Sequence, residues 1–116
     1  MQISLKLKSG YNIVSIITKS ALESLSIKVG DDMTAILKSS SVMISTDKLI
    51  NISSRNKLKG KVVNLIKGEI NSDITIDIGG DFITSIITTS SIETLNIKLG
   101  DEVTSLIKSS DVMLGK

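Results

Sequence analysis

Apolar and polar positions alternate along much of this chain, and where the alternation breaks it breaks at glycine or at clusters of hydroxyl residues. The run Ile74, Thr75, Ile76, Asp77, Ile78 has the period of two expected of a half-buried strand. Gly79, Gly80 and Asp81 follow as a hairpin turn, where glycine accepts backbone angles that other residues resist. Residues 82–88 form the next predicted strand, and the Val-rich stretch 59–66 forms the one before, closed by a turn at Lys67, Gly68 and Glu69. The period then changes. A Ser/Thr cluster at 88–91 precedes Ile92 and Leu95, three residues apart, which predicts one or two helical turns with a hydroxyl N-cap. Asn96 to Asp101 leads through a glycine turn into a strand at 102–108, and Val112, Met113 and Leu114 make a last short strand.

The order of elements occurs twice. Residues 10–44 align without gaps on residues 80–114, with about half the positions identical at a period of about 70. Ser15-Ile16-Ile17-Thr18 matches Ser85-Ile86-Ile87-Thr88, Gly30-Asp31 matches Gly100-Asp101, and Lys38-Ser39-Ser40 matches Lys108-Ser109-Ser110. The helical turn of the first copy falls at 20–25. Upstream the copies differ. The second has a lead-in over 52–80, whereas the first has only MQISLKLKSG, whose Ile3, Leu5 and Leu7 parallel Ile74, Ile76 and Ile78. The first copy thus has no counterpart of SRNKLKGKVVNLI. The chain divides into a shortened copy, residues 1–46, and a complete one, residues 50–116, joined through the polar stretch Ser45-Thr46-Asp47-Lys48. Short strands, glycine turns and one small helix per copy point to an all-β protein of OB-fold-like Greek-key barrel repeats. The absent strand leaves an edge that oligomerisation or strand exchange would cover.

Composition narrows the chemistry. The formal charge of +2, with acids and bases intermixed, argues against a polyanion-binding tail. The apolar content is almost wholly Ile, Leu and Val, with Phe82 and Tyr11 the sole aromatics, so the stacking platforms of single-strand nucleic-acid binding are missing. Neither cysteine nor histidine occurs, which removes disulfides, thiolate metal sites, imidazole ligands and the usual general base. No apolar run approaches the roughly 20 residues of a membrane span, and there is no signal-peptide pattern, so a cytoplasmic protein is expected, with neither membrane nor nucleic acid as a direct partner. The carboxylates sit in turns and form no acid/base pair, and no Walker-type phosphate loop is present, which argues against an enzyme.

What remains is a set of anion donors. Ser53-Ser54-Arg55-Asn56 brings hydroxyls, a guanidinium and an amide together, and Lys108-Ser109-Ser110 and its twin Lys38-Ser39-Ser40 each join an ammonium to hydroxyls at a strand end. Thr88-Thr89-Ser90-Ser91 opens the small helix. A tetrahedral oxyanion calls for many directed donors, charge-assisted where possible. The bland readings are a helix cap for the Ser/Thr run and a turn for Lys-Ser-Ser.

The run from Ile52 through Ser53-Ser54-Arg55-Asn56 to Leu58-Lys59-Gly60-Lys61-Val62-Val63 resembles the opening of Mop, or molbindin, domains of the TOBE-like group. Gly68-Glu69-Ile70-Asn71-Ser72-Asp73, then Ile86-Ile87-Thr88, then Ile107-Lys108-Ser109-Ser110-Asp111-Val112-Met113-Leu114 continue it in family order. The resemblance covers 52–116 as a complete copy and 3–44 as a truncated one, a tandem arrangement with a shortened first repeat. It implies molybdate or tungstate as bound ligand, with no organic cofactor and no direct cation ligands. It also implies a homo-oligomer, dimer or trimer, whose subunits share the sites. The contacting residues it implies are Ser53, Arg55, Asn56, Lys108, Ser109 and Ser110, with Thr88 and Ser91. In the first copy Thr18, Lys38, Ser39 and Ser40 are the counterparts, and Ala21 stands in the place of Ser91. Position 54 is Ser where the family often has Ala. A pocket formed by Ser53 and Arg55 with Lys38 and Ser39 of a neighbouring copy is a further arrangement. The function implied is reversible oxyanion binding for intracellular storage or homeostasis. The alternative is the ligand-sensing domain of a molybdate-responsive transcription regulator whose DNA-binding part lies outside this chain. An accessory domain of a transporter ATPase is disfavoured by the lack of a nucleotide motif.

Overall fold

A computed structural model describes residues 1–47 and 50–116. The first copy forms β1 (Gln2–Lys6), β2 (Asn12–Ile16), α1 (Lys19–Ser24), β3 (Thr34–Leu37) and β4 (Met43–Ser45), with a 3₁₀ turn at Ser39–Ser41. The second forms β5 (Asn56–Lys67), β6 (Asn71–Asp77), β7 (Phe82–Thr88), α2 (Thr89–Leu95), β8 (Glu102–Ile107) and β9 (Val112–Gly115), with a 3₁₀ turn at Ser109–Asp111. The protein is mostly β with one short α-helix in each copy, as the alternation and the hydroxyl clusters predict. Ser45 of the expected linker is the last residue of β4, and Lys48 lies outside the described residues.

Local chemistry explains the punctuation. Thr18 and Thr88 cap α1 and α2, accepting from the backbone N–H of Ala21 and Ser91, both at 3.1 Å. At the end of α2, Asn96 turns left-handed at φ 53°, and the Ile97 N–H returns to the Ile92 carbonyl. That turn sends Ile92 and Ile97 into the core and leaves Leu95 exposed, contrary to a simple reading of the Ile92/Leu95 spacing. Between β6 and β7, Gly79 and Gly80 stand at φ 108° and 111° and both donate to the Asp77 carboxylate at 2.9 Å.

The duplication is visible in the strand register. Ile3 faces Ser15 as Ile74 faces Ser85, and Leu5 faces Ile13 as Ile76 faces Ile83. The later strands exchange between the copies. β4 pairs with β8, so that Met43 lies opposite Leu106 and Ile44 opposite Ser105. β9 pairs with β3, so that Met113 lies opposite Ile36 and Leu114 opposite Ala35. The two pairings are the same arrangement repeated at equivalent residues. The main sheet therefore runs β4-β8-β5-β6-β7, with one strand of the first copy at its edge. A single core results, in which Ile13 and Val42 pack with Leu58, Ile74, Ile76 and Ile107. Two copies this small could not each enclose enough apolar surface alone, and sharing a core supplies it.

Candidate functional site

β5 and β8 run antiparallel with Asn56 opposite Ile107, which places Arg55 beside Lys108 where the two strands end. Residues 53–56 keep strand alternation. Ser53 and Arg55 are exposed, whereas Ser54 is half-buried and Asn56 buried. The inward pair fastens the segment. Ser54 Oγ donates to the Ile107 carbonyl at 3.0 Å. Asn56 Oδ1 accepts from the Val14 N–H at 2.7 Å, and Asn56 Nδ2 donates to the Val14 carbonyl at 2.8 Å, so its amide acts as one rung of a ladder to β2. The outward pair is left for chemistry, and Arg55 Nη1 is steadied by a 2.9 Å hydrogen bond to Gln2 Oε1 of β1.

A groove of about 390 Å³ opens here, lined by Ile16, Met43, Ile52, Ser53, Ser54, Arg55, Lys108, Ser109 and Ser110. Among the described residues two cations and four hydroxyls line it, and no carboxylate does. The contrast is a second cleft of about 350 Å³, where Lys59 and Lys61 are accompanied by Asp47, Asp77 and Glu102. A dianion entering that cleft would meet negative charge, whereas the first groove offers charge-assisted donors without a competing acceptor of like sign. Among the described residues no cluster of three or more carboxylates could hold a metal ion.

The structure thus brings Ser53, Arg55, Lys108, Ser109 and Ser110 to one groove. Asn56 was expected among the contacts; its amide bonds the Val14 backbone, and it does not line the groove. Thr88 and Ser91 also lie off the groove. Thr88 Oγ1 caps α2 and sits 2.7 Å from Ser91 Oγ, the ordinary use of hydroxyls at a helix start. Thr18 does the same for α1. Lys38, Ser39 and Ser40 occupy the equivalent strand end in the other half, where the Ser39–Ser41 turn packs on β7 just as Ser109–Asp111 packs on β2. Within the chain they do not share a groove with Ser53 and Arg55. Sequence reasoning missed Gln2, Ile16 and Met43, all from the first copy. No local signal marks them: Met43 arrives on the exchanged strand β4, while Gln2 and Ile16 lie on the β1–β2 pair, whose β2 packs against the Ser109–Asp111 turn and β9. The inward role of Asn56 was legible in principle, since period-two alternation puts it on the face opposite Arg55.

Comparison with known proteins bears on the same residues. The TOBE domain family matches residues 52–114. The molybdenum-pterin-binding protein 1 of Clostridium pasteurianum is 53% identical over 66 residues, which make up 56% of this chain and 97% of that protein. The molybdenum transport protein ModE of Azotobacter vinelandii is 31% identical over 114 residues, 97% of this chain, but the chain spans only 42% of that relative's length. Among solved structures, the cytoplasmic molybdate-binding protein ModG, in a crystal form with molybdate bound, superposes with a TM-score of 0.93 at 29% identity, over 98% of this chain and 82% of that one.

Proposed function

This chain belongs to the TOBE-domain family, with molybdenum-pterin-binding proteins among its relatives, and from that premise we propose that it binds molybdate or tungstate reversibly for intracellular storage or homeostasis. The observation that carries the reading is the carboxylate-free groove holding Arg55, Lys108, Ser53, Ser109 and Ser110. A tetrahedral dianion there would receive the forked guanidinium and the ammonium as charge-assisted donors, with hydroxyls setting size and geometry. The two oxyanions have the same shape and charge, so one donor set serves both. No organic cofactor enters this reading.

The rim of the groove supports a homo-oligomer, a dimer or trimer, with shared sites. Ile16, Met43 and Ile52 are 53%, 42% and 39% exposed beside the polar donors, an apolar border that a neighbouring subunit would cover. A cytoplasmic setting accords with the ModG relative, and among the described residues no helix is long and apolar enough to cross a membrane. One observation favours a second role: nearly the whole chain aligns with less than half of ModE. In that setting the same groove would serve as the ligand-sensing part of a longer regulator.

Isothermal titration calorimetry with molybdate, tungstate and sulfate in parallel tests the proposal. Micromolar or tighter binding of the first two with weak sulfate binding is expected. Silence with all three would overturn it.

A further inference from the structure

Two neighbouring residues of β2 hold the two donor-bearing segments of the groove. Val14 holds the first: its backbone N–H and carbonyl are both bonded by the side chain of Asn56, the residue that follows Arg55. Ser15 holds the second. Its hydroxyl donates to the Val112 carbonyl at 2.6 Å, and Val112 is the residue that closes the 3₁₀ turn Ser109–Asp111. Ile16, next along β2, lines the groove itself. Neighbouring residues of a strand are separated by a fixed rise of about 3.4 Å, so both segments take their position from one rigid element.

The turn needs an outside hold. β8 leaves its ladder with β5 at Ile107, opposite Asn56, and β9 starts its ladder with β3 at Val112. Residues 108–111 between them belong to neither ladder. Their own backbone bonds run from the Asp111 N–H to the Lys108 carbonyl at 2.9 Å and from the Val112 N–H to the Ser109 carbonyl. These bonds fix the shape of the turn and leave its distance from Arg55 free. Charge acts on that distance, because Arg55 stands beside Lys108 and, among the described residues, no carboxylate lines the groove between them. Ser15 is fully buried, and a hydrogen bond shielded from water in this way is strengthened by its surroundings.

On the oxyanion reading of the groove, on which this rests, we propose that Ser15 is a positioning residue for the site. Through the Val112 carbonyl it sets where Ser109 and Ser110 stand relative to Arg55, and it does not line the groove itself. Donors around a small ion act together only when held within about 0.5 Å of their working geometry. The duplication supplies a matched control. Ser85 makes the same bond to the Val42 carbonyl, where the Ser39–Ser41 turn packs on β7, and that turn does not line the groove. Ser15 and Ser85 are both fully buried, so removal of either hydroxyl leaves one buried carbonyl without its bond. A share in folding is common to the twins, whereas a share in the site belongs to Ser15.

The test measures molybdate affinity by calorimetry and stability by urea unfolding on the full chain carrying Ser15→Ala or Ser85→Ala. Both midpoints should fall by similar amounts. Ser15→Ala should bind molybdate about tenfold more weakly, the low end of what outer partners of a bound ion contribute, whereas Ser85→Ala should bind as the parent does. Ser15→Cys keeps nearly the same side-chain shape but donates only weakly, and it serves in place of the alanine variant if that does not fold. Parent-like affinity in the folded Ser15 variant, or an equal loss in the Ser15 and Ser85 variants, would overturn the proposal. Amide hydrogen exchange gives a readout without ligand. The Asp111 and Val112 amides should exchange faster in the Ser15 variant and not in Ser85→Ala, and unchanged exchange there would also overturn it. A parent chain that binds no molybdate would refute the oxyanion reading instead, and faster exchange at 111 and 112 would still identify Ser15 as the hold on the turn.

Discussion

Ser85 on β7 donates its hydroxyl hydrogen to the backbone carbonyl of Val42 at 2.5 Å, and both groups are buried where the first copy's last strand meets the second copy's sheet. Its twin joins Ser15 to the Val112 carbonyl at 2.6 Å, so each copy holds the other's terminal strand by the same bond. Ser85→Ala would orphan a buried carbonyl and should cost about 1–3 kcal/mol. The urea midpoint should fall accordingly, while Ser90→Ala on the exposed face of α2 leaves it nearly unchanged. An unmoved midpoint for Ser85→Ala would refute the clasp.

Arg55 and Asn56 are adjacent, yet their substitutions should have opposite signatures. Arg55→Ala removes a charge-assisted donor, expected to weaken molybdate binding by about 1.5–3 kcal/mol with stability nearly constant. Asn56→Ala strips partners from both the N–H and the carbonyl of Val14, and should lower folding stability by about 2–4 kcal/mol. Calorimetry and urea unfolding on both variants check this, and an affinity loss confined to Asn56→Ala would reverse the assignment of the two residues.

Gln2 reaches Arg55 from β1 and orients it without lining the groove. Gln2→Ala should reduce molybdate affinity by a smaller factor than Arg55→Ala, roughly two- to fivefold for the loss of one exposed hydrogen bond. Binding measured in the Arg55→Ala background should show no further loss, because the two substitutions remove one interaction.

Ser105 is fully buried and its hydroxyl has no partner among the described residues, while the equivalent position of the first copy is Ala35. Ser105→Ala is therefore expected to be neutral or to stabilise by up to about 1 kcal/mol, read as a rise in the thermal midpoint. A clear fall would mean that the hydroxyl is satisfied.

Asp77 accepts from the N–H groups of Gly80 and Gly79, which hold its carboxyl below the usual value of about 3.9. A lowered folded-state value means that the ionised form stabilises the fold. That contribution is complete above the unfolded value and is lost as pH falls through the folded one. Asp77→Ala should thus be less stable than the parent at neutral pH, with the difference shrinking below about pH 4. Urea midpoints measured from pH 7 downward check it, and a pH-independent difference would refute it.

In these 116 residues, short-range forces decide the elements that local pattern marks. Alternation at 74–78, the Gly79-Gly80 turn, the Thr88 cap and the strand at Phe82–Thr88 all reflect backbone geometry and neighbouring side chains, and all stand in the structure where the pattern puts them. The duplication was equally plain, down to the pairing of Ile3 and Leu5 with Ile74 and Ile76. The Ser-x-Arg and Lys-Ser-Ser donors could be named from the residues, whereas only the family resemblance put them in one site. Two near-identical copies present each strand with two equivalent partners, so local pattern cannot distinguish pairing within a copy from pairing between copies. Burial over the whole molecule makes that choice: β4 on β8 and β9 on β3 build one shared core from two undersized ones. The same tertiary packing carries Gln2, Ile16 and Met43 to Arg55 and Lys108, and leaves Lys38, Ser39 and Ser40 off that groove.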